Sequence, residues 1–162
     1  MTSRLQLMAC AVLAASLTAA AAQAAPTYVS IILDTPVNAS AARAWEKVKG
    51  YCDIGKWLKA PCEITSGIDG ELGAVRRIAG RIDEVIVAVT PMSYTYADPN
   101  LPILYHGTVE VRPVGKKTSK IVYSLFYDQA TIPEANRTAD LERRSKMFTG
   151  VLATMKAIAE AK

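Results

Sequence analysis

The sequence predicts an α+β fold in which a curved antiparallel sheet of seven strands wraps around one long C-terminal helix. After Pro61, strand-like segments follow one another with only short turn signals between them, and parallel pairing would need longer crossovers. From Pro133 onward, apolar residues recur at three- and four-residue spacings, which is typical of an amphipathic helix. A sheet that curls around this helix buries one face of each element.

The first 24 residues are predicted to be an export signal. Arg4 precedes an apolar run rich in Ala and Leu, and Ala22-Gln23-Ala24 carries the small residues of a cleavage site. A membrane anchor is the alternative, but the run is mostly Ala and no positively charged flank follows it. We therefore expect cleavage after Ala24, a periplasmic or secreted protein without stable membrane insertion, and a single domain over residues 25–162.

Composition restricts the chemistry that the protein can perform. The chain has 162 residues, a formal net charge of +4, three Cys and one His, which is too few ligands for a dedicated zinc site. No glycine-rich loop has the spacing of a nucleotide-phosphate site. The basic clusters at residues 76–81 and 143–146 lack interleaved aromatic residues and are interpreted as solvated faces. We expect no metal, no cofactor and no nucleic-acid partner.

The N-terminal part of the domain is predicted to form a strand followed by a helix. Residues 27–34 alternate as a strand with two largely apolar sides, which we expect to end at Pro36. Either Asn38 or Ser40 can cap the helix that follows, and Gly50 stops it.

The rest of the chain is predicted to be one short helix, six strands and the long final helix. The short helix covers residues 53–58 and ends before Pro61. The strands cover residues 63–68, 74–78, 81–89, 92–97, 104–111 and 119–128, with Gly, Pro, Asp or Asn between most of them. The final helix starts at Pro133, a residue favoured in a first helical turn.

Cys52 and Cys62 are the two cysteines that remain after the expected cleavage. Export to an oxidising compartment makes a disulfide the favoured interpretation. The small loop that it closes would contribute about 2 to 3 kcal/mol to stability. Two alternatives remain open, namely two buried free thiols beside Trp57 and a catalytic cysteine, although no base adjoins either cysteine in sequence.

The order of elements, together with specific residues, resembles the helix-grip (SRPBCC) superfamily of START-related lipid-transfer domains and polyketide cyclases. The matching features are the apolar strand leading to Pro36, Ala41-x-x-Ala44-Trp45, Asp53-Ile54-x-Lys56-Trp57-Leu58, Gly73-Ala74-Val75-Arg76, Glu84, Ser93-Tyr94-Thr95-Tyr96 and Val122-Tyr123-Ser124. All of them are scaffold features rather than a catalytic signature. The resemblance covers nearly all of residues 25–162 and implies an interior cavity between sheet and long helix.

Strand alternation indicates which tyrosines face that cavity. Five of the seven tyrosines fall on predicted inward positions of three strands. These five are Tyr94, Tyr96, Tyr105, Tyr123 and Tyr127. Buried phenol hydroxyls must be paired or hydrated. They are therefore either ordinary core residues or groups that orient an oxygenated aromatic ligand.

Glu84 is the predicted acid–base group. It shares a face with Ile82 and Ile86, so an inward orientation raises its pKa unless it is paired, and Arg76 in the neighbouring strand is its candidate partner. The pair is either a structural ion pair or part of an active site, and the resemblance favours the active site. His106, the only histidine of the sequence, is a further acid–base candidate, but strand alternation places it outward.

Two functions follow from these features. The first is an exported, cofactor-independent enzyme of the lyase, cyclase, dehydratase or isomerase type that acts on a hydroxylated aromatic or polyketide-like molecule. The candidate catalytic residues are Glu84, Arg76, Tyr94 and Tyr123, and the candidate ligand contacts are Tyr96, Tyr105, Tyr127, Trp57 and His106. The second is a carrier for a lipid or hydrophobic metabolite. Tyrosine density favours the enzyme, because a lipid cavity needs more Phe than the two present. A homodimer remains open.

Overall fold

The computed structural model of the chain describes residues 25–162. Within that part, seven strands and three α-helices follow one another in the predicted order, so the α+β fold class is confirmed. The strands are β1 (Tyr28–Val37), β2 (Cys62–Ser66), β3 (Val75–Ile78), β4 (Ile82–Thr90), β5 (Ser93–Ala97), β6 (His106–Pro113) and β7 (Ser119–Asp128). The helices are α1 (Ala41–Val48), α2 (Ile54–Leu58) and α3 (Glu134–Glu160), with a short 3-10 turn over Tyr51–Asp53. The predicted export signal lies outside the described residues.

All seven strands belong to one antiparallel sheet with the order β1-β7-β6-β5-β4-β3-β2. The first strand therefore pairs with the last, and β1 and β2 form the two edges. Helix α3 packs against β1 and β7 and also contacts α1 and α2, so the sheet curls around it. The buried side chains of α3 are Phe148, Val151, Leu152, Met155 and Ala159. No helix within residues 25–162 is long and apolar enough to cross a membrane.

Several strand boundaries differ from those predicted, and two of these differences have a clear local cause. Strand β1 continues through Pro36, which pairs with Lys120, and ends at Val37. Pro36 is tolerated because β1 is an edge strand, where a missing backbone N–H can face away from the ladder. Strand β6 starts at His106 rather than at Leu104, because Leu104 has a left-handed φ of 50° that does not fit an extended strand.

Helix α1 is capped at its start, and the residues before it are bonded to the end of α3. Of the two candidate caps, Ser40 acts, since its hydroxyl accepts a hydrogen bond from the Arg43 backbone N–H at 3.4 Å. Asn38 instead donates its backbone N–H to Glu160 Oε1 at 2.8 Å, which ties the start of α1 to the end of α3. In the 3-10 turn that follows α1, Tyr51 is fully buried.

A disulfide joins the 3-10 turn to the edge of the sheet. Cys52 and Cys62 are bonded, with their Cα atoms 5.5 Å apart. The bond spans α2, whose last turn ends at Lys59 in a left-handed conformation. Helix α2 is only five residues long, so this covalent link and its buried Ile54 and Trp57 hold it in place.

Removing this link is expected to destabilise the fold. We expect the Cys52→Ala/Cys62→Ala variant to lose about 2 to 3 kcal/mol of unfolding free energy, because its unfolded chain is no longer cross-linked. Urea unfolding measures the loss, and wild-type protein in dithiothreitol is the control, expected to match the variant. Two alkylatable thiols in protein exported to an oxidising compartment and purified without reductant would refute the bond.

Candidate functional site

A cavity of about 300 Å³ lies between the sheet and α3. Its walls come from α2, β3, β4, β5, α3 and the loop that precedes β6. The apolar wall consists of Ile54, Leu58, Ile78, Ile82, Leu101, Met147 and Phe148. The polar groups are Arg81, Glu84, Tyr96, Asp98, Tyr105 and Arg144. An apolar cavity with a few polar groups is the usual form of a small-molecule site.

The buried Arg76 and Glu84 form an ion pair beside this cavity. The strand register places them directly opposite each other on β3 and β4. Arg76 is 0% exposed, and its Nε and Nη2 donate to Glu84 Oε2 at 2.8 and 2.6 Å. Its Nη1 donates to the Tyr51 carbonyl oxygen at 2.5 Å. The guanidinium also lies 4.1 Å from the Tyr51 ring centroid and 4.5 Å from that of Tyr96.

The ion pair leaves one oxygen of Glu84 free. Both bonds from Arg76 end on Oε2, so within residues 25–162 Oε1 has no hydrogen-bond donor, and the side chain lines the cavity. Burial raises the pKa of Glu84 above its ordinary value, and the attraction of Arg76 only partly counteracts that rise. Burial opposes the charge of Arg76, but Glu84 and nearby tyrosines raise its pKa, so Arg76 stays protonated. Glu84 is therefore the member of the pair that can exchange a proton.

Two of the five inward tyrosines reach the cavity, namely Tyr96 and Tyr105. The Tyr96 hydroxyl shares a hydrogen bond of 2.7 Å with that of Tyr123, which lies behind it. Burial raises the pKa of all three, so they remain protonated at neutral pH. Gly107 makes room for the Tyr96 ring, because a Cβ there would lie 2.3 Å from the Tyr96 hydroxyl. The absence of a side chain at Gly107 of β6 therefore lets the Tyr96 ring lie where it does.

Three of the nine candidate site residues line the cavity, namely Glu84, Tyr96 and Tyr105. The candidate catalytic residues that do not line it are Arg76, Tyr94 and Tyr123, and the candidate ligand contacts that do not line it are Tyr127, Trp57 and His106. His106 lies on the outer face of the sheet, where its Nδ1 is 2.7 Å from the Leu104 carbonyl oxygen. Trp57 is a buried residue of α2. Tyr94 packs edge-on against Tyr51, with ring centroids 5.4 Å apart. Tyr127 is covered by the Arg144 guanidinium, 4.5 Å from its ring centroid.

Sequence reasoning missed three charged residues of the cavity, Arg81, Asp98 and Arg144. Asp98 continues the two-residue period of Tyr94 and Tyr96, and it is 6% exposed. Arg144 follows Leu141 by three residues and precedes Phe148 by four, so it falls on the apolar stripe of α3. The interpretation of the basic clusters as solvated is therefore wrong for Arg76 and for Arg144, whose side chain is 16% exposed.

Breaking the ion pair tests whether Glu84 is a buried charge. We expect Arg76→Met to cost about 3 to 5 kcal/mol at neutral pH, because it leaves a buried carboxylate unpaired. The folded-state pKa of Glu84 then lies further above its unfolded value of about 4.3. Stability should therefore be greatest below that unfolded value and fall as pH rises through the folded one.

Urea unfolding between about pH 4 and pH 8 measures this trend. The matched control is Arg76→Met/Glu84→Gln, which cannot titrate at residue 84 and should lack the loss at high pH. If the single variant showed the same pH dependence as this control, Glu84 would not be a buried charge.

Several solved structures share this architecture. A truncated norcoclaurine synthase from Thalictrum flavum aligns with a TM-score of 0.66 and 20% identity, over 86% of this chain and 99% of that one. A Nitrosospira multiformis protein aligns with a TM-score of 0.65 and 20% identity, over 80% and 94% of the two chains. A START superfamily protein from Mycobacterium smegmatis aligns with a TM-score of 0.64 and 10% identity, over 81% of this chain and 97% of that one. At these identities the likeness shows the fold, and it confirms the helix-grip prediction.

Comparison with protein families identifies the group to which the chain belongs. No curated protein matched the sequence. The model of the family described as polyketide cyclase / dehydrase and lipid transport matches residues 29–160, which include every strand and helix from α1 onward and all polar groups of the cavity. The chain is therefore a member of the polyketide cyclase/dehydrase and lipid-transport family, a ligand-binding protein of the helix-grip fold.

Proposed function

We propose that the protein is a cofactor-independent enzyme that holds a small hydroxylated aromatic or polyketide-like molecule in the cavity and transfers a proton through Glu84. The observation that carries the proposal is that, in the part of the chain that the structure describes, only one of the two oxygens of Glu84 is hydrogen-bonded. Arg76 holds Oε2, while Oε1 has no donor within the described chain. A fixed carboxylate with a raised pKa in an apolar cavity suits general acid–base catalysis.

The size and lining of the cavity support a small ring-containing ligand. Its volume of about 300 Å³ lies at the lower end of the range for ligand pockets, roughly 300 to 1,000 Å³. That space suits one or two rings better than a long acyl chain. One of the similar solved structures is the Thalictrum flavum norcoclaurine synthase in complex with dopamine and hydroxybenzaldehyde, which are small aromatic molecules. The carrier alternative with a large lipid is therefore less favoured.

The chemistry can be written for a ligand with a carbonyl group. Glu84 Oε1 takes a proton from the carbon next to that carbonyl, and the electrons of the C–H bond move to the carbonyl oxygen. The Tyr105 hydroxyl lines the same cavity and stays protonated, so it can donate a hydrogen bond to the resulting enolate. Where the ligand also has a C=C bond between its β and γ carbons, return of the proton from Glu84 to the γ carbon moves that double bond into conjugation with the carbonyl, which completes an isomerisation without any other reactant.

The remaining predicted catalytic residues act indirectly in this proposal. Arg76 positions Glu84, because two of its nitrogens bind the same carboxylate oxygen. Tyr123 positions Tyr96 through their shared hydrogen bond. Tyr94 packs edge-on against Tyr51, the residue whose carbonyl oxygen accepts a hydrogen bond from Arg76. We also propose that the enzyme works in the periplasm, because residues 1–24 are predicted to be an export signal.

Hydrogen–deuterium exchange into a model ketone tests the proposed proton transfer. In D2O, we expect the wild type to accelerate exchange at the methylene of 4-hydroxyphenylacetone, measured by proton NMR. Glu84→Gln should reduce that rate by about 100-fold or more, since it removes the base. Glu110→Gln is the matched control, because Glu110 pairs with Arg112 away from the cavity, and it should exchange at the wild-type rate.

Because Glu84→Gln leaves the buried charge of Arg76 without its partner, a second variant is needed to separate loss of catalysis from misfolding. Arg76→Met/Glu84→Gln removes both charges and is expected to fold without catalysing exchange. Binding of the ketone without exchange by the wild type would favour the carrier. Equal exchange rates for the wild type and Glu84→Gln would overturn the catalytic assignment.

A further inference from the structure

We infer that Arg144 binds an acidic group on the ligand, so that the substrates are aromatic acids with their carboxylate against this guanidinium. This inference rests on the proposed function, which describes the other end of the ligand. That end consists of the ring and the group that reacts with Glu84. It adds an anion-binding subsite to the cavity.

Arg144 lies between the cavity and a second space. It lines the cavity and also lines an adjoining depression of about 420 Å³ beside Ile132 and Asp140. Of the residues that line these two spaces, Arg144 is the one that both share. A ligand held against Glu84 can therefore place a substituent at Arg144 without leaving the cavity.

The Arg144 guanidinium is held rigidly without using its two terminal nitrogens. Its Nε donates to Asp140 Oδ2 at 2.8 Å. Its plane lies over the Tyr127 ring at 4.5 Å and near the Tyr105 ring at 5.5 Å. Tyr127 in turn donates to Asp140 at 3.0 Å, which fixes the carboxylate. Within residues 25–162, neither Nη atom of Arg144 has an acceptor, so a two-pronged donor is available for a planar carboxylate.

The distribution of charge favours an anion at this end of the cavity. Asp140 is shared between Arg143 and Arg144, so one negative charge faces two positive ones. Arg81 also lines the cavity and has no ion pair within the described chain. Glu84 lies in the wall of the same cavity and repels an anion, so the acid group of a ligand is directed to Arg144. Asp98 is the other carboxylate in the wall, and it accepts the backbone N–H of Asn100 at 2.9 Å.

Two probes that differ by one carboxylate test the inference, 4-hydroxyphenylacetate and p-cresol. By isothermal titration calorimetry, we expect the wild type to bind the acid about 10- to 100-fold more tightly, as charged hydrogen bonds allow. Arg144→Met should lose that preference and bind p-cresol as before. Lys146→Met is the control, since it removes the same charge from an exposed position of α3 that lines neither space.

Each outcome decides the inference. Equal affinity of the wild type for both probes, or the same loss of acid binding in Lys146→Met as in Arg144→Met, would overturn the subsite and leave the proposed function standing. No binding of either probe would overturn both. If Arg144→Met does not fold, Arg144→Lys takes its place, because it keeps the charge but loses the two-pronged geometry. Arg144→Lys should then weaken binding of the acid alone, and unchanged binding of the acid would count against the inference.

Discussion

The buried ion pair between Arg76 and Glu84 is the constraint on which the rest of the site depends. Removing two charges from water costs several kcal/mol for each ion, so the surrounding structure must compensate them with good geometry. The register of β3 and β4 sets the pair face to face, and the Tyr51 carbonyl accepts a third bond from the guanidinium. The disulfide at Cys52 holds the turn that carries Tyr51, so a covalent link at the sheet edge supports a charge in the core.

The pair also gives the cavity its chemical direction. Without it the cavity would keep its other polar groups but would lack the proposed base. With it, the cavity presents the fixed carboxylate of Glu84 and the protonated Tyr105 and, for the other end of the proposed ligand, the guanidinium of Arg144. A ligand with an acidic group at one end and an ionisable C–H or O–H at the other matches both ends. The proposed reaction and the proposed anion subsite therefore describe one binding orientation.

Most of the fold and part of the site could be predicted from the sequence. Period-two alternation is a local property, so it identified Glu84 and the five inward tyrosines as buried. Alternation cannot show which buried tyrosines reach the cavity, because that depends on where α2 and α3 pack. The strand through Pro36 was missed because only the strand order reveals that β1 is an edge. Arg144 was missed because it was grouped with its charged neighbours as a solvated cluster, although its spacing places it on the apolar stripe of α3.

The most direct test of the account is the titration of the Glu84 carboxyl carbon, followed by carbon-13 NMR and assigned with Glu84→Gln. The account predicts a pKa above the ordinary glutamate value of about 4.3 in the free protein. It also predicts that the Glu84 signal changes its chemical shift and its midpoint when p-cresol occupies the cavity, because the phenol hydroxyl then reaches Oε1. A midpoint at the ordinary value that bound p-cresol leaves unchanged would contradict the central claim.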